Sequence, residues 1–298
     1  MPRPDPIDPL RLDRARVRAS FDRASKSYEA SAVLQERVRT ELLERLQLLK
    51  AEPAVVVDLG SGTGLGTRAL RKLYRRAQVI AFDLAPGMLR ESRKHMSFFS
   101  RFDRVCGDSM RLPFKDASVD LIFSNLMLQW CDEPDAPFAE IRRVLKPTGF
   151  FGFSTFGPDT LKELRAAWSQ ADGHEHVSRF LDMHDIGSAL GRAGLVEPVL
   201  DVDRIQLSYN DAHSLMRDLK AIGAHNATAG RARGLTGKSR MKKMLDAYET
   251  FRRDGRLPAT YEVVYGAAWG SSGRPTSRVV SGEVHVPLAS IRRRDSHD

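Results

Sequence analysis

The sequence predicts an α/β protein, with one mainly parallel sheet covered on both faces by helices and capped by helical insertions. Two observations carry this expectation. Short apolar runs alternate with helix-compatible stretches between residues 54 and 156, the rhythm of strand–helix–strand units. Beyond residue 156 that rhythm gives way to longer helical blocks separated by only two further strand candidates.

The elements follow in order. Residues 10 to 50 read as helix, since Val38, Leu42, Leu46 and Leu49 recur at spacings of three and four, and Pro53 stops it. The strand runs are AVVVDL (54–59), QVIAFDL (78–84), FDRVCGD (102–108), VDLIFSN (119–125) and FFGFSTF (150–156). Helices are expected at 159–172 and 182–194, a strand at 200–209, and a helical block over 211–253. TYEVVYGAAWG (260–270) alternates Tyr261, Val263 and Tyr265 on one face, as a strand does. No internal repeat is visible, so 1–298 is read as a single domain. Within it lie an N-terminal helical lid (1–50), a βαβ core (51–157), remaining strands with a helical cap (158–270) and a loosely held tail (271–298).

Composition narrows the setting. A net charge of +9 makes an anionic partner plausible, whether nucleic acid, membrane surface or an acidic protein. No run approaches the ~18 apolar residues of a membrane span. MPRPDPIDPLRLDRARVR lacks the apolar centre of a secretory signal, and its three aspartates argue against a transit sequence. Cys106 and Cys131 supply neither a disulfide framework nor a zinc site, which suits a reducing cytoplasm.

The stretch VVVDLGSGTGLGTRAL (55–70) carries the chemistry. Neither Gly60-Ser61-Gly62 nor Gly62-Thr63-Gly64 has the third glycine of a dinucleotide loop, and no Gly-Lys-Ser/Thr completes a P-loop. What remains is Asp58-x-Gly60-x-Gly62-x-Gly64, an acid ahead of the loop that repels phosphate and suits an ammonium or sulfonium. The next strand ends in Asp83, placed to accept from two ribose hydroxyls. The third run ends GDSMRLPF, and the fourth ends at Asn125.

This pattern resembles the class I S-adenosylmethionine-dependent methyltransferases. The resemblance implies a Rossmann-like, seven-stranded, mostly parallel sheet with S-adenosylmethionine as cofactor. It also implies a cofactor site made from Asp58, Gly60, Gly62, Gly64, Asp83, Leu84, Met88, Asp108, Ser109, Met110 and Asn125; Tyr28 and Gln35 are added to it from the lid by a narrower resemblance, that of residues 20–35. Asp108 would accept from the adenine amine, with the Ser109 or Met110 backbone against the ring.

Further segments resemble the malonyl-carrier-protein carboxyl methyltransferases of biotin synthesis, the BioC family. They are SFDRASKSYEASAVLQ (20–35), SNLMLQWCDEP (124–134), RFLDMHDIGSAL (179–190) and SLMRDLKAIGAHNATAGR (214–231), then GLTGKSRM and GRLPATYEVVYG. The resemblance implies methylation of the free carboxylate of a malonyl thioester on acyl carrier protein, an acidic partner, with neither nucleic acid nor membrane involved. A carboxylate is already ionised at pH 7, so no general base or metal is required. Acceptor positioning is assigned to Tyr28, Gln129 and Arg231, and acceptor binding to Arg179, Lys220, His225, Asn226 and Arg231. Arg231 is the favoured carboxylate ligand, because a guanidinium grips two oxygens. Arg217 and Lys220 are the expected basic rim for the carrier. His174 and His176 lack the neighbours a metal pair needs.

Other readings remain open on the sequence alone. FGPDTLKELR and DIGSALGRAGL also resemble a mitochondrial complex I assembly factor that hydroxylates arginine on the same fold. Methylation of another small molecule, such as a quinone, and a non-catalytic nucleic-acid module complete the alternatives.

Overall fold

The computed structural model describes residues 12–97, 100–131, 133–174, 176–224, 237–272, 278–280 and 283–285. The five expected strands of the first half are β1 (Val55–Leu59), β2 (Gln78–Asp83), β3 (Asp103–Cys106), β4 (Val119–Asn125) and β5 (Leu145–Phe156). With β6 (Val196–Tyr209) and β7 (Leu257–Trp269) they form a seven-stranded sheet in the order β3-β2-β1-β4-β5-β7-β6. The pairings from β3 through β5 are parallel, and β7 runs antiparallel to both neighbours.

The order reverses between β1 and β4, which opens a crevice at the carboxyl ends of those strands. Alternation along each strand feeds two cores. Val56, Leu121 and Phe123 face one cluster, while Val57 and Ile122 face the other. That two-sided burial is why these strands read as unbroken apolar runs. Each fully buried aliphatic or aromatic side chain contributes roughly 1.5–3 kcal/mol.

Helices cover both faces. The N-terminal segment forms α1 (Arg14–Ala24), α2 (Tyr28–Ser31) and α3 (Val33–Gln47), where the sequence predicts one long helix. The break has a local cause. The hydroxyls of Ser25 and Ser27 donate to the carbonyls of Asp22 and Ala24, an alternative to helix continuation. α3 presents Leu34, Val38, Leu42 and Leu46 to the sheet.

α4 (Leu65–Leu73), α5 (Pro86–Glu91) and α6 (Asp135–Val144) link the parallel strands. α7 (Lys162–Ala171) and α8 (Met183–Ala193) lie between β5 and β6, and α9 (Ala212–Ala221) and α10 (Lys238–Glu249) between β6 and β7. Strands β5, β6 and β7 each start several residues before their expected positions, because pairing with neighbours extends them past their apolar cores. Gly266 of β7 lies flat against Phe153, where a Cβ would come within 2.1 Å of the ring. Two short strands, β8 (Arg278–Val280) and β9 (Glu283–His285), pair antiparallel where the sequence predicts a loosely held end.

Candidate active site

The crevice holds a cavity whose floor is built from consecutive strand ends. Gly60 and Gly62 come from the loop after β1, Asp83 and Leu84 from the end of β2, Asp108 and Ser109 from the turn after β3, and Asn125 from the end of β4. Its roof comes from elsewhere in the chain. Val17 and Phe21 of α1, Tyr28 of α2 and Gln35 of α3 close one side. Leu161 and Leu164 near α7, with Leu219 and Ile222 at the end of α9, close another.

The glycine loop is tied to β2. Gly60 and Ser61 N–H groups donate to the Phe82 carbonyl at 2.8 and 3.0 Å, and Gly62 N–H donates to Asp83 Oδ2 at 2.8 Å. Gly62 has φ +53°, and space is open where a Cβ would project, so the backbone there can meet a ligand. Gly64 does a different job. A Cβ on it would press within 2.7 Å of Ser92, so this glycine serves packing and lies outside the cavity wall.

Asp58 also departs from expectation. Its carboxylate lies behind the loop, buried, with Oδ2 accepting from Thr67 Oγ1 at 2.6 Å, and it does not line the cavity. Burial pushes its carboxyl up to about 7, with the Asp83 charge adding to the rise against the Thr67 hydrogen bond. Direct contact with a ligand ammonium is therefore not available to it in this arrangement. Its position orders the start of α4 through Thr67.

Asp83 does face the cavity. It accepts from Gly62 N–H and, through Oδ1, from Ala85 N–H at 2.8 Å, and burial pushes it up to about 6 despite those bonds. Asp108 Oδ1 accepts from Met110 N–H at 3.0 Å and pairs with Arg14 of α1 at 2.6 Å. Met110 itself turns away from the cavity, while Ser109 stays in its wall. Asn125 is held at both ends. Its Nδ2 donates to the Gln35 carbonyl at 3.2 Å, and its Oδ1 accepts from Ser154 at 3.0 Å.

Several polar groups aim inward. Among the described residues, Gln35 Oε1 is buried without a hydrogen-bond partner, beside a cavity that can supply one. Tyr28 is raised above the usual phenol range, first by burial and then by the Asp83 charge, so its hydroxyl stays protonated. Gln129 lies in the wall with Nε2 on the Leu126 carbonyl at 2.6 Å. Trp130 meets Phe21 edge-on with centroids 5.1 Å apart, joining α1 to the segment after β4.

The expected acceptor residues are scattered. Arg179 lines two neighbouring recesses and not this cavity. Lys220 is exposed on α9, with Arg217 on the same helix. His225, Asn226 and Arg231 lie outside the described residues. Sequence reasoning missed Arg14, Arg18, Thr160 and His176 as wall residues, because they come from segments with no strand-end signature.

An orphaned amide oxygen, an inward carboxylate at the second strand end and an open glycine backbone together fit a nucleoside amino acid such as S-adenosylmethionine. The sheet order, the switch-point crevice and this donor set define the class I S-adenosylmethionine-dependent methyltransferases. The comparisons agree. Residues 57–153 match the family model described as a methyltransferase domain. The YcgJ protein of Bacillus subtilis superposes with a TM-score of 0.56 over 78% of this chain and 98% of its own, at 16% identity, which shows the fold.

Two curated relatives narrow the class. A malonyl-[acyl-carrier protein] O-methyltransferase of Methylovorus sp. (strain MP688) is 54% identical over 91% of this chain and 93% of its own. Its namesake in Laribacter hongkongensis (strain HLHK9) is 51% identical over 91% and 94%. The chain belongs to the malonyl-[acyl-carrier protein] O-methyltransferase family. It is an enzyme, a methyltransferase that uses S-adenosylmethionine, and the arginine-hydroxylase alternative gains no support from these relatives.

Proposed function

We propose that this cavity carries methyl transfer from S-adenosylmethionine to the free carboxylate of a malonyl group held on acyl carrier protein. The observation that carries the reading is the 54% identity to a relative of that name over 91% of this chain. Asp83 would hold the ribose, Gly60 and Gly62 the amino-acid portion, and the turn at Asp108 and Ser109 the adenine. Gln35 Oε1 is the acceptor available to the donor's ammonium group. When bound, S-adenosylmethionine supplies an electrophilic methyl on a sulfonium.

The remaining work belongs to the chain. The acceptor carboxylate arrives ionised, so the site must orient it and exclude water. Tyr28, protonated, serves as a hydroxyl donor and not as a base. Gln129 and Trp130, on the turn after β4, form the acceptor side of the wall. α1, pinned by Arg14 to Asp108 and by Asp22 to Gly87 N–H at 2.5 Å, acts as the lid that keeps water out. Arg231, His225 and Asn226, the carboxylate ligands expected from the sequence, lie outside the described residues, so among the described ones a partner to that carboxylate has to come from the cavity wall itself.

The partner would be an acidic carrier protein, which the net charge of +9 suits, with Arg217 and Lys220 contributing to a basic rim. The experiment is direct. Purified enzyme, S-adenosylmethionine and malonyl-acyl carrier protein are incubated, and the carrier is weighed by mass spectrometry. The expected product is the carrier-bound malonyl methyl ester. A carrier unchanged in mass, with S-adenosylhomocysteine binding intact, would sink the acceptor assignment while leaving the methyltransferase class standing.

A further inference from the structure

Three side chains able to carry positive charge line the cavity among the described residues, namely Arg14, Arg18 and His176. Arg14 is committed to Asp108 at 2.6 Å. Arg18 sits exposed on α1. His176 differs from both, with its side chain only 18% exposed and locked in place. Its Nε2 lies 2.8 Å from Asp172 Oδ1, and its ring stacks on Trp168 with centroids 3.7 Å apart and planes 13° from parallel.

The orienting carboxylate is itself anchored. Asp172 follows the last turn of α7, accepts from His174 N–H at 3.0 Å, and has Arg240 of α10 at 3.6 Å from its second oxygen. Burial works to raise the Asp172 carboxyl, but the His174 and His176 hydrogen bonds outweigh it and hold it below the usual range. A carboxylate on one ring nitrogen fixes the ring and leaves the other nitrogen to meet a ligand. For Nδ1 to donate to an acceptor oxygen while Nε2 donates to Asp172, the ring must carry both protons.

His176 comes from the segment after α7, not from the strand ends that form the donor side of the cavity. A packing histidine needs no cavity in front of it, and a purely apolar acyl slot needs no oriented imidazole. We propose that His176, oriented by Asp172 and Trp168, binds the acceptor carboxylate and selects a malonyl thioester over an uncharged acyl thioester. This rests on the carboxylate-methylation reading above. The neutral analogue lacks the group that the ring meets, so binding of that analogue is indifferent to the ring.

The test compares binding of malonyl- and acetyl-carrier protein to the wild type, H176Q and D172N, with S-adenosylhomocysteine present. Wild type prefers the malonyl form. H176Q should lose roughly tenfold or more in malonyl affinity, the scale of a charge-assisted hydrogen bond, with acetyl affinity unchanged. In turnover the loss falls mainly on KM, and D172N gives a smaller loss of the same pattern. Equal malonyl preference in H176Q and wild type overturns the proposal, as does an equal loss for both thioesters. S-adenosylhomocysteine binding by calorimetry reports that each variant is folded. Should H176Q lose it, D172N, which keeps the ring, carries the same comparison. A wild type that fails to methylate malonyl-carrier protein brings down the acceptor reading instead, so the two failures are distinguishable.

Discussion

Asp58 and Asp83 look equivalent in the sequence, each an acid closing a strand, yet their surroundings give them different work. Asp83 receives two backbone N–H groups and faces the cavity, whereas Asp58 spends its oxygen on Thr67 behind the loop. Burial raises both carboxyls, to about 6 and about 7 from 3.8. The native state therefore retains protons that the unfolded chain releases. The stability this contributes is full below pH 3.8 and is lost as the pH climbs through about 7. Asp58→Asn keeps an acceptor for Thr67 and removes the titration. The melting temperature of the wild type should fall relative to that variant between pH about 4 and 7, then run parallel above it. A constant difference across that window would contradict the assignment.

At the level of elements, the N-terminal helices matter most. α1 touches the strand ends through one ion pair, one backbone hydrogen bond and one aromatic contact, each at a different loop. The Arg14–Asp108 pair is more than a third exposed on both sides, so its contribution to global stability is small. We propose that it bears on closure instead, because Arg14 and Asp108 both line the cavity. Arg14→Ala should leave the melting temperature within about 2 °C of wild type. It should also speed S-adenosylhomocysteine release severalfold in stopped-flow measurements. Unchanged release would mean that α1 does not gate the site. No residue pattern signals this pairing, since Arg14 lies in an arm without motif and Asp108 is 94 residues away.

For the whole molecule, charge is the relevant property. Among the described residues no helix is long and apolar enough to cross a membrane. The excess of nine positive charges is spread over the chain, and an acidic carrier would feel it before contact. Encounter of this kind weakens as the Debye length shrinks below about 10 Å near 0.1 M salt. kcat/KM for malonyl-carrier protein should fall severalfold between about 0.05 and 0.5 M salt, mostly through KM. A flat salt profile would remove the basic rim at Arg217 and Lys220 from the account of carrier binding.

Local patterning by itself determined the strand–helix alternation, the absence of a phosphate-binding loop and the acceptor-rich ends of β2, β3 and β4. Each of these is written in consecutive residues, where side-chain period and glycine placement act at short range. The Tyr28, Gln35 and Gln129 positions were legible only through family resemblance. Tertiary structure alone decided that Asp58, Gly64 and Met110 turn away from the cavity while Gly60, Gly62 and Ser109 stay in its wall. It alone brought Arg14 to Asp108, and set His176 against Trp168 and Asp172 beside the crevice. The physical reason is that a strand end fixes where a residue begins, but the packing of distant helices fixes which way its side chain can point.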